Sequence, residues 1–251
     1  MVNLHRFANP KRFMRLSELV LPWVLSVVIL AFPVGLYLAL IASPPDYEQR
    51  ETVRIMYIHV PAAWLALFSY TCMAGASAVG AIWRHPLADL AAKSIAPVGA
   101  GFTFICLVTG SLWGQPTWGT WWVWDARLTS VLILFFLFVG YMVLFDSFDD
   151  PSKGARAAGI LAMVGIVFVP IIKFSVDILE LRTLHQGASV SKLSGSSVHA
   201  TMLWPLMIMA TAYMAYFIAV LLIRMRSAIL SARVRAQSVM AARRAVKPIK
   251  V

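Results

Sequence analysis

VLPWVLSVVILAFPVGLYLALIA, residues 20–42, runs 23 positions without a charged side chain. About 20 mainly apolar residues suffice to carry a helix across a bilayer core, so this stretch decides the class of fold. Five more stretches have the same character, at about 55–82, 94–113, 128–145, 157–180 and 200–223. Their apolar runs are too continuous for the alternating pattern of barrel strands, and lipid offers a backbone amide no outside partner. The expectation is an all-α integral membrane bundle of six transmembrane helices, forming one domain over 1–251. The composition agrees. Hydrophobic residues make up 60% of the 251 and charged residues 13%, and the mean hydropathy is +0.77, against roughly half and a quarter in soluble proteins. The first run is too long for a signal-peptide core and reads as an uncleaved anchor.

The net charge of +11 does not indicate nucleic acid, because of where the charge lies. Eight of the 22 Lys and Arg follow residue 223 and four precede residue 16. Basic tails flanking apolar segments hold a chain against the cytoplasmic face and its anionic lipids. Six spans put both tails on that side, together with the 83–93 and 146–156 connections. Sixteen basic residues then lie inside, and five outside: Arg50, Arg54, Arg127, Arg182 and Lys192. The basic stretch 224–251 is expected to continue the last span as an amphipathic helix from Ile223. Cys72 and Cys106 both sit in apolar runs, and no C-x-x-C occurs.

Three segments face outward in this topology: 43–54, 113–127 and 181–199. The first is short and mixed in charge. The third, with GASVSKLSGSS at 187–197, reads as a mobile loop. The middle one holds five of the nine tryptophans in twelve residues, WGQPTWGTWWVW at 113–124: Trp113, Trp118, Trp121, Trp122 and Trp124. Indoles favour the headgroup level, so an interfacial belt is the plain reading. A belt, however, spreads its rings over many helix ends, and here they crowd beside Gly114, Pro116 and Gly119, residues that break helices. A slab of rings at a membrane face suits a large, flat, apolar ligand. Asp125 precedes the fourth span and is well placed as its N-cap. Arg127 either pairs with Asp125 or headgroups, or receives ligand carboxylates.

Helix counting also sorts the histidines. His5 and His85 fall on the tail side, where a solvated role suffices. His59, His185 and His199 fall on the tryptophan side. His59 lies in YIHVPAAW, where Pro61 fits a first helical turn. His185 lies in LRTLHQG, where Gly187 can end the fifth span. Two neutral imidazoles make good axial ligands for haem iron, and water-satisfied interfacial histidines are the alternative. His199 is the weaker candidate. Lys173 and Asp177, four apart, read as a pair on one helix face. There is no C-x-x-C-H, G-x-x-x-x-G-K-[ST], G-x-S-x-G or H-E-x-x-H, so no signature of covalent haem attachment, of a P-loop ATPase or of the common hydrolases is present.

WGQPTWGTWWVWDARLTS at 113–130 resembles the WWD signature of the haem-handling proteins of bacterial cytochrome c maturation. YIHVPAAW, LVTGSLWGQP, FDDPSKGARAAGI and TLHQG are most similar to the haem exporter protein C family, over nearly all six spans. That resemblance implies a multi-pass protein of the bacterial inner membrane, both termini cytoplasmic. It would bind haem b non-covalently at the periplasmic face and hand it to a periplasmic haem chaperone. It implies His59 and His185 as axial ligands of the iron, and Trp113, Trp118, Trp121, Trp122, Trp124 and Asp125 as the platform. It also implies an ABC-type complex with an ATP-binding subunit, a second membrane subunit and a small single-span protein. The competing readings are a haem lyase acting on apocytochrome c, and an ABC-type permease subunit.

Overall fold

The computed structural model describes residues 9–176, 184–185 and 198–245. Helix α1 (Pro10–Tyr37) starts on a local signal: the Asn9 side chain accepts from the Lys11 backbone N–H, with Pro10 in the first turn. It begins ten residues ahead of the apolar run and so takes in Lys11, Arg12 and Arg15. Past Tyr37 it widens into a π-turn over Leu38–Ala42. A 3₁₀ turn, Glu51–Ile55, leads into α2 (Met56–Trp83). Arg84 closes α2 in the left-handed conformation, and α3 (Pro86–Trp118) follows at once.

The remaining elements are α4 (Ala126–Asp146), α5 (Pro151–Gly165), α6 (Phe168–Phe174) and α7 (Ala200–Ala245). Asp150 caps α5 through the Ser152 backbone N–H, and a short break at 166–167 separates α5 from α6. The described residues contain no strand. Among the described residues six helical stretches, with α5 and α6 taken together, are long and apolar enough to cross a membrane, as the hydropathy pattern leads one to expect. The chain is an all-α, multi-pass membrane protein.

Helix α2 is the centre of the bundle. It packs most extensively on α3 and also meets α5 and α7, while α1 lies mainly against α7. Tyr57, Tyr70, Met73, Leu134, Phe138, Tyr141, Leu206 and Met209 are fully buried between these helices. Only Ser17 and Gly35 of α1 are buried. Its large side chains, such as Trp23 and Leu30, face outward, which suits a helix whose surroundings are lipid. Helix α7 runs 46 residues without a break, about 69 Å at 1.5 Å per residue, more than twice a hydrocarbon core of about 30 Å. The basic stretch after Ile223 is therefore helical as far as Ala245. Arg226 binds it to α1 by donating to the Met14 carbonyl at 3.0 Å and to the Ser17 hydroxyl at 2.8 Å.

Three expectations need correction. His85 is not solvated: it is buried and caps α3, its Nδ1 accepting from the Ala88 N–H at 3.2 Å. Pro61 is not in a first turn, because the 3₁₀ turn already supplies one, and His59 consequently sits inside α2. Gly114 and Pro116 do not break α3, which continues to Trp118. Gly114 lets the Trp118 ring lie against the helix, since a Cβ there would come within 2.9 Å of it. Gly119, at φ +76°, is the residue that ends the helix, its N–H donating to the Gln115 carbonyl. His5, Asp177, Arg182, Gly187, Lys192 and GASVSKLSGSS lie outside the described residues.

Candidate functional site

The candidate site forms at the end of the bundle opposite the basic tails, and residues of all three segments expected on that side, 43–54, 113–127 and 181–199, contribute to it. His59 lies in the second turn of α2 and is 8% exposed. Its neighbours come from α3. Its Nδ1 is 3.1 Å from the Thr109 hydroxyl, and Gly110 makes room for the ring, since a Cβ there would stand 2.9 Å from Cε1. One turn on, Trp113 meets the His59 ring edge-on, with centres 5.7 Å apart. The Trp113 indole N–H donates to Gln49 Oε1 at 2.8 Å. Gln49 belongs to a tight turn held by Asp46, whose carboxylate accepts from the Glu48 and Gln49 N–H groups. Segment 43–54 thereby orients a tryptophan of segment 113–127.

His185, from the third segment, completes the group. Its ring centre lies 6.4 Å from that of His59, with 34° between the planes, and 6.2 Å from that of Trp118. Arg127, in the first turn of α4, donates from Nη1 to His185 Nδ1 at 3.0 Å and from Nε to the Ser175 hydroxyl at 3.0 Å. Ser175 is fully buried and donates in turn to the Ile172 carbonyl. Metal–imidazole bonds of about 2 Å, placed in line through one metal, put two ring centres roughly 6 Å apart. The separation of His59 and His185 matches that span.

The tryptophans divide into two groups. Trp113 and Trp118, on the last turns of α3, stand beside the histidines. Trp121, Trp122 and Trp124 lie on the non-helical 119–125 stretch, where Trp122 and Trp124 meet edge to face at 5.7 Å. Trp121 and Trp124 are 57% and 77% exposed. The stretch is pinned by the Ser111 hydroxyl, which donates to the Trp121 carbonyl at 2.8 Å. Asp125 caps α4, accepting from the Leu128 N–H at 2.7 Å. His199 is exposed and sits at the start of α7, its Nδ1 2.9 Å from the Thr201 hydroxyl. Of the other arginines in these segments among the described residues, Arg54 is engaged by Glu51 at 2.5 Å and by the Ala39 carbonyl.

Sequence reasoning missed Gln49, Thr109, Gly110 and Ser175. The three polar ones orient a candidate side chain, yet each is a lone polar residue in a stretch read for other features. A helical wheel shows Gly110 and Thr109 on α3, but only the α2–α3 pairing turns them toward His59.

The family model described as "Heme exporter protein C" matches residues 3–240. The chain belongs to the haem exporter protein C family. It is 52% identical to "Heme exporter protein C" of Bradyrhizobium diazoefficiens over 237 residues, which cover 94% of this chain and 89% of that protein. It is 43% identical to the proteins of the same name from Haemophilus influenzae and Escherichia coli, over 90% of this chain and 92% and 91% of theirs.

Proposed function

We propose that this chain takes up haem b, without covalent attachment, at the periplasmic face of the bacterial inner membrane and delivers it to a periplasmic haem chaperone for c-type cytochrome biogenesis. It acts as a carrier rather than an enzyme. His59 and His185 bind the iron from opposite sides, Trp113 and Trp118 bound the porphyrin, and Arg127 receives a propionate. Trp121, Trp122, Trp124 and Asp125 complete the WWD surface where cargo is passed on. Both termini are cytoplasmic, and the working assembly is an ABC-type complex with an ATP-binding subunit, a second membrane subunit and a small single-span protein.

One observation carries this reading. Two histidines 126 positions apart in sequence meet with ring centres 6.4 Å apart, flanked by two tryptophans, at one end of a membrane bundle. The names of the relatives supply the cargo. The indoles exclude water and present ring faces to the porphyrin, while the imidazoles supply neutral nitrogen ligands.

The test is the visible absorption spectrum of the purified protein loaded with haem, beside His59→Ala and His185→Ala. The expected result is a six-coordinate low-spin spectrum that either change converts to high-spin. A spectrum unchanged in both variants would place the ligands elsewhere.

A further inference from the structure

Both histidines commit Nδ1 to a neighbour, and the chemistry of those neighbours fixes which nitrogen carries the proton. Thr109 has one hydroxyl hydrogen, and it points to the Ile105 carbonyl at 2.6 Å, with the Cys106 carbonyl at 3.4 Å. Toward His59 the oxygen therefore offers a lone pair, so His59 Nδ1 is the donor at 3.1 Å. Nε2 of His59 keeps its own lone pair. That is the tautomer in which imidazole binds a metal through Nε2 while its other nitrogen donates to an outer partner.

His185 is set the opposite way. A guanidinium has five N–H donors and no acceptor. At 3.0 Å from Arg127 Nη1, His185 Nδ1 must accept, and the neutral ring then carries its hydrogen on Nε2. A protonated nitrogen has no lone pair for iron. Ligation through Nδ1 instead would take the atom Arg127 already occupies. By either nitrogen, Arg127 must leave before His185 can bind a metal.

We infer that Arg127 gates the second axial bond, holding His185 out of ligation until a carboxylate of the incoming porphyrin draws the guanidinium away. The inference rests on the bis-histidine reading above and adds its order: His59 binds first and His185 second. A carboxylate wins Arg127 from a neutral imidazole because both partners are then charged and the guanidinium fork can engage both oxygens. Once Arg127 has left, the hydrogen on His185 Nε2 passes to water and Nδ1 takes one from water, so the ring stays neutral. On unloading, return of Arg127 to Nδ1 opposes recapture. Arg127 is thus a positioning residue whose effect on the iron passes through His185.

Two measurements on the full chain in detergent test this. In cargo-free protein with ring-¹⁵N histidine, His185 Nδ1 should read as unprotonated. Arg127→Lys, also donor-only, should preserve that pattern. Arg127→Gln, whose carbonyl can accept from Nδ1–H, should reverse it. The second measurement compares haem with its dimethyl ester, which lacks the carboxylates. Wild type should be six-coordinate with haem but five-coordinate and high-spin with the ester, whereas Arg127→Gln should be six-coordinate with both. A protonated Nδ1 on His185 in cargo-free wild type, or a six-coordinate ester complex of wild type, would overturn the gate. Haem that stays six-coordinate in both histidine-to-alanine variants would instead overturn the bis-histidine reading, a separate result.

Discussion

Gly110→Ala is the sharpest perturbation of the site that touches no candidate ligand. Its methyl group would stand 2.9 Å from His59 Cε1 and 3.4 Å from Nδ1. Carbon atoms at rest sit about 3.5–4.0 Å apart, so the ring must retreat from α3 by roughly 0.6 Å or more. Thr109 lies on the same helix, and a retreat of that size stretches its 3.1 Å bond to His59 to a length at which it is no longer a hydrogen bond. The lost bond is worth about 1 kcal/mol, and crowding of this kind costs about 1–3 kcal/mol. Together these come to about 2–4 kcal/mol, so haem affinity should fall about 30- to 850-fold, measured by absorbance titration of detergent-solubilised protein, with the thermal unfolding midpoint recorded alongside. Gly101→Ala is the control: nothing lies within 4 Å of a Cβ there, so binding should be unchanged and the helix, if anything, steadier. Equal haem affinity in Gly110→Ala and wild type would refute the claim that α3 sets the position of His59.

Gln49→Leu removes the acceptor of the Trp113 indole N–H and should weaken haem binding by about 1 kcal/mol, roughly fivefold, in the same titration. Asp125→Ala should lower the stability of the apo protein by about 1 kcal/mol through loss of the α4 cap. Asp125→Asn should retain the cap, so haem transfer lost in Asn as well would assign a role to the charge itself. Asp150 is held below the usual carboxylate range chiefly by the Ser152 hydroxyl, and also by the Ser152 backbone N–H. Its contribution to stability is present above the unfolded carboxyl's pKa and fades as pH falls through the folded one. Ser152→Ala should move the Asp150 carboxyl resonance titration upward in NMR; an unmoved titration would remove the hydroxyl as the cause.

The membrane class and the six spans were legible because hydropathy acts over some twenty residues at a time, and a single turn of chain does not obscure it. Helix ends are set by single residues, and there the sequence misleads. Pro116 and Gly114 look like breakers, but in a span the alternative to helix is an unpaired backbone beside lipid, so α3 runs through both and stops only at Gly119. The histidine sorting needed nothing but helix counting, and it brings His59 and His185 to one end of the bundle together with His199, which is exposed just before α7. What stayed hidden are the partners that orient the candidates. Gln49 and Trp113 are 64 positions apart and Arg127 and His185 are 58 apart, so no local pattern links them; only the packing of α2 on α3 and of α4 beside α6 does.

That packing leaves the two histidines unequally buried. His59 is buried on the central helix, with α3 supplying its hydrogen-bond partner, its clearance and its aromatic neighbour. His185 is more exposed, lies past the end of α6, and is held by Arg127 together with the ring of Trp118. A permanent cofactor site gains from two equally rigid ligands, because each then binds without further ordering. A site that must let its cargo go gains from the opposite arrangement, since dissociation can proceed one bond at a time and the second bond is the one to weaken. Under the proposed function the asymmetry falls where a delivery protein needs it: the tightly positioned imidazole would retain the porphyrin, and the one shared with Arg127 would decide when it is released.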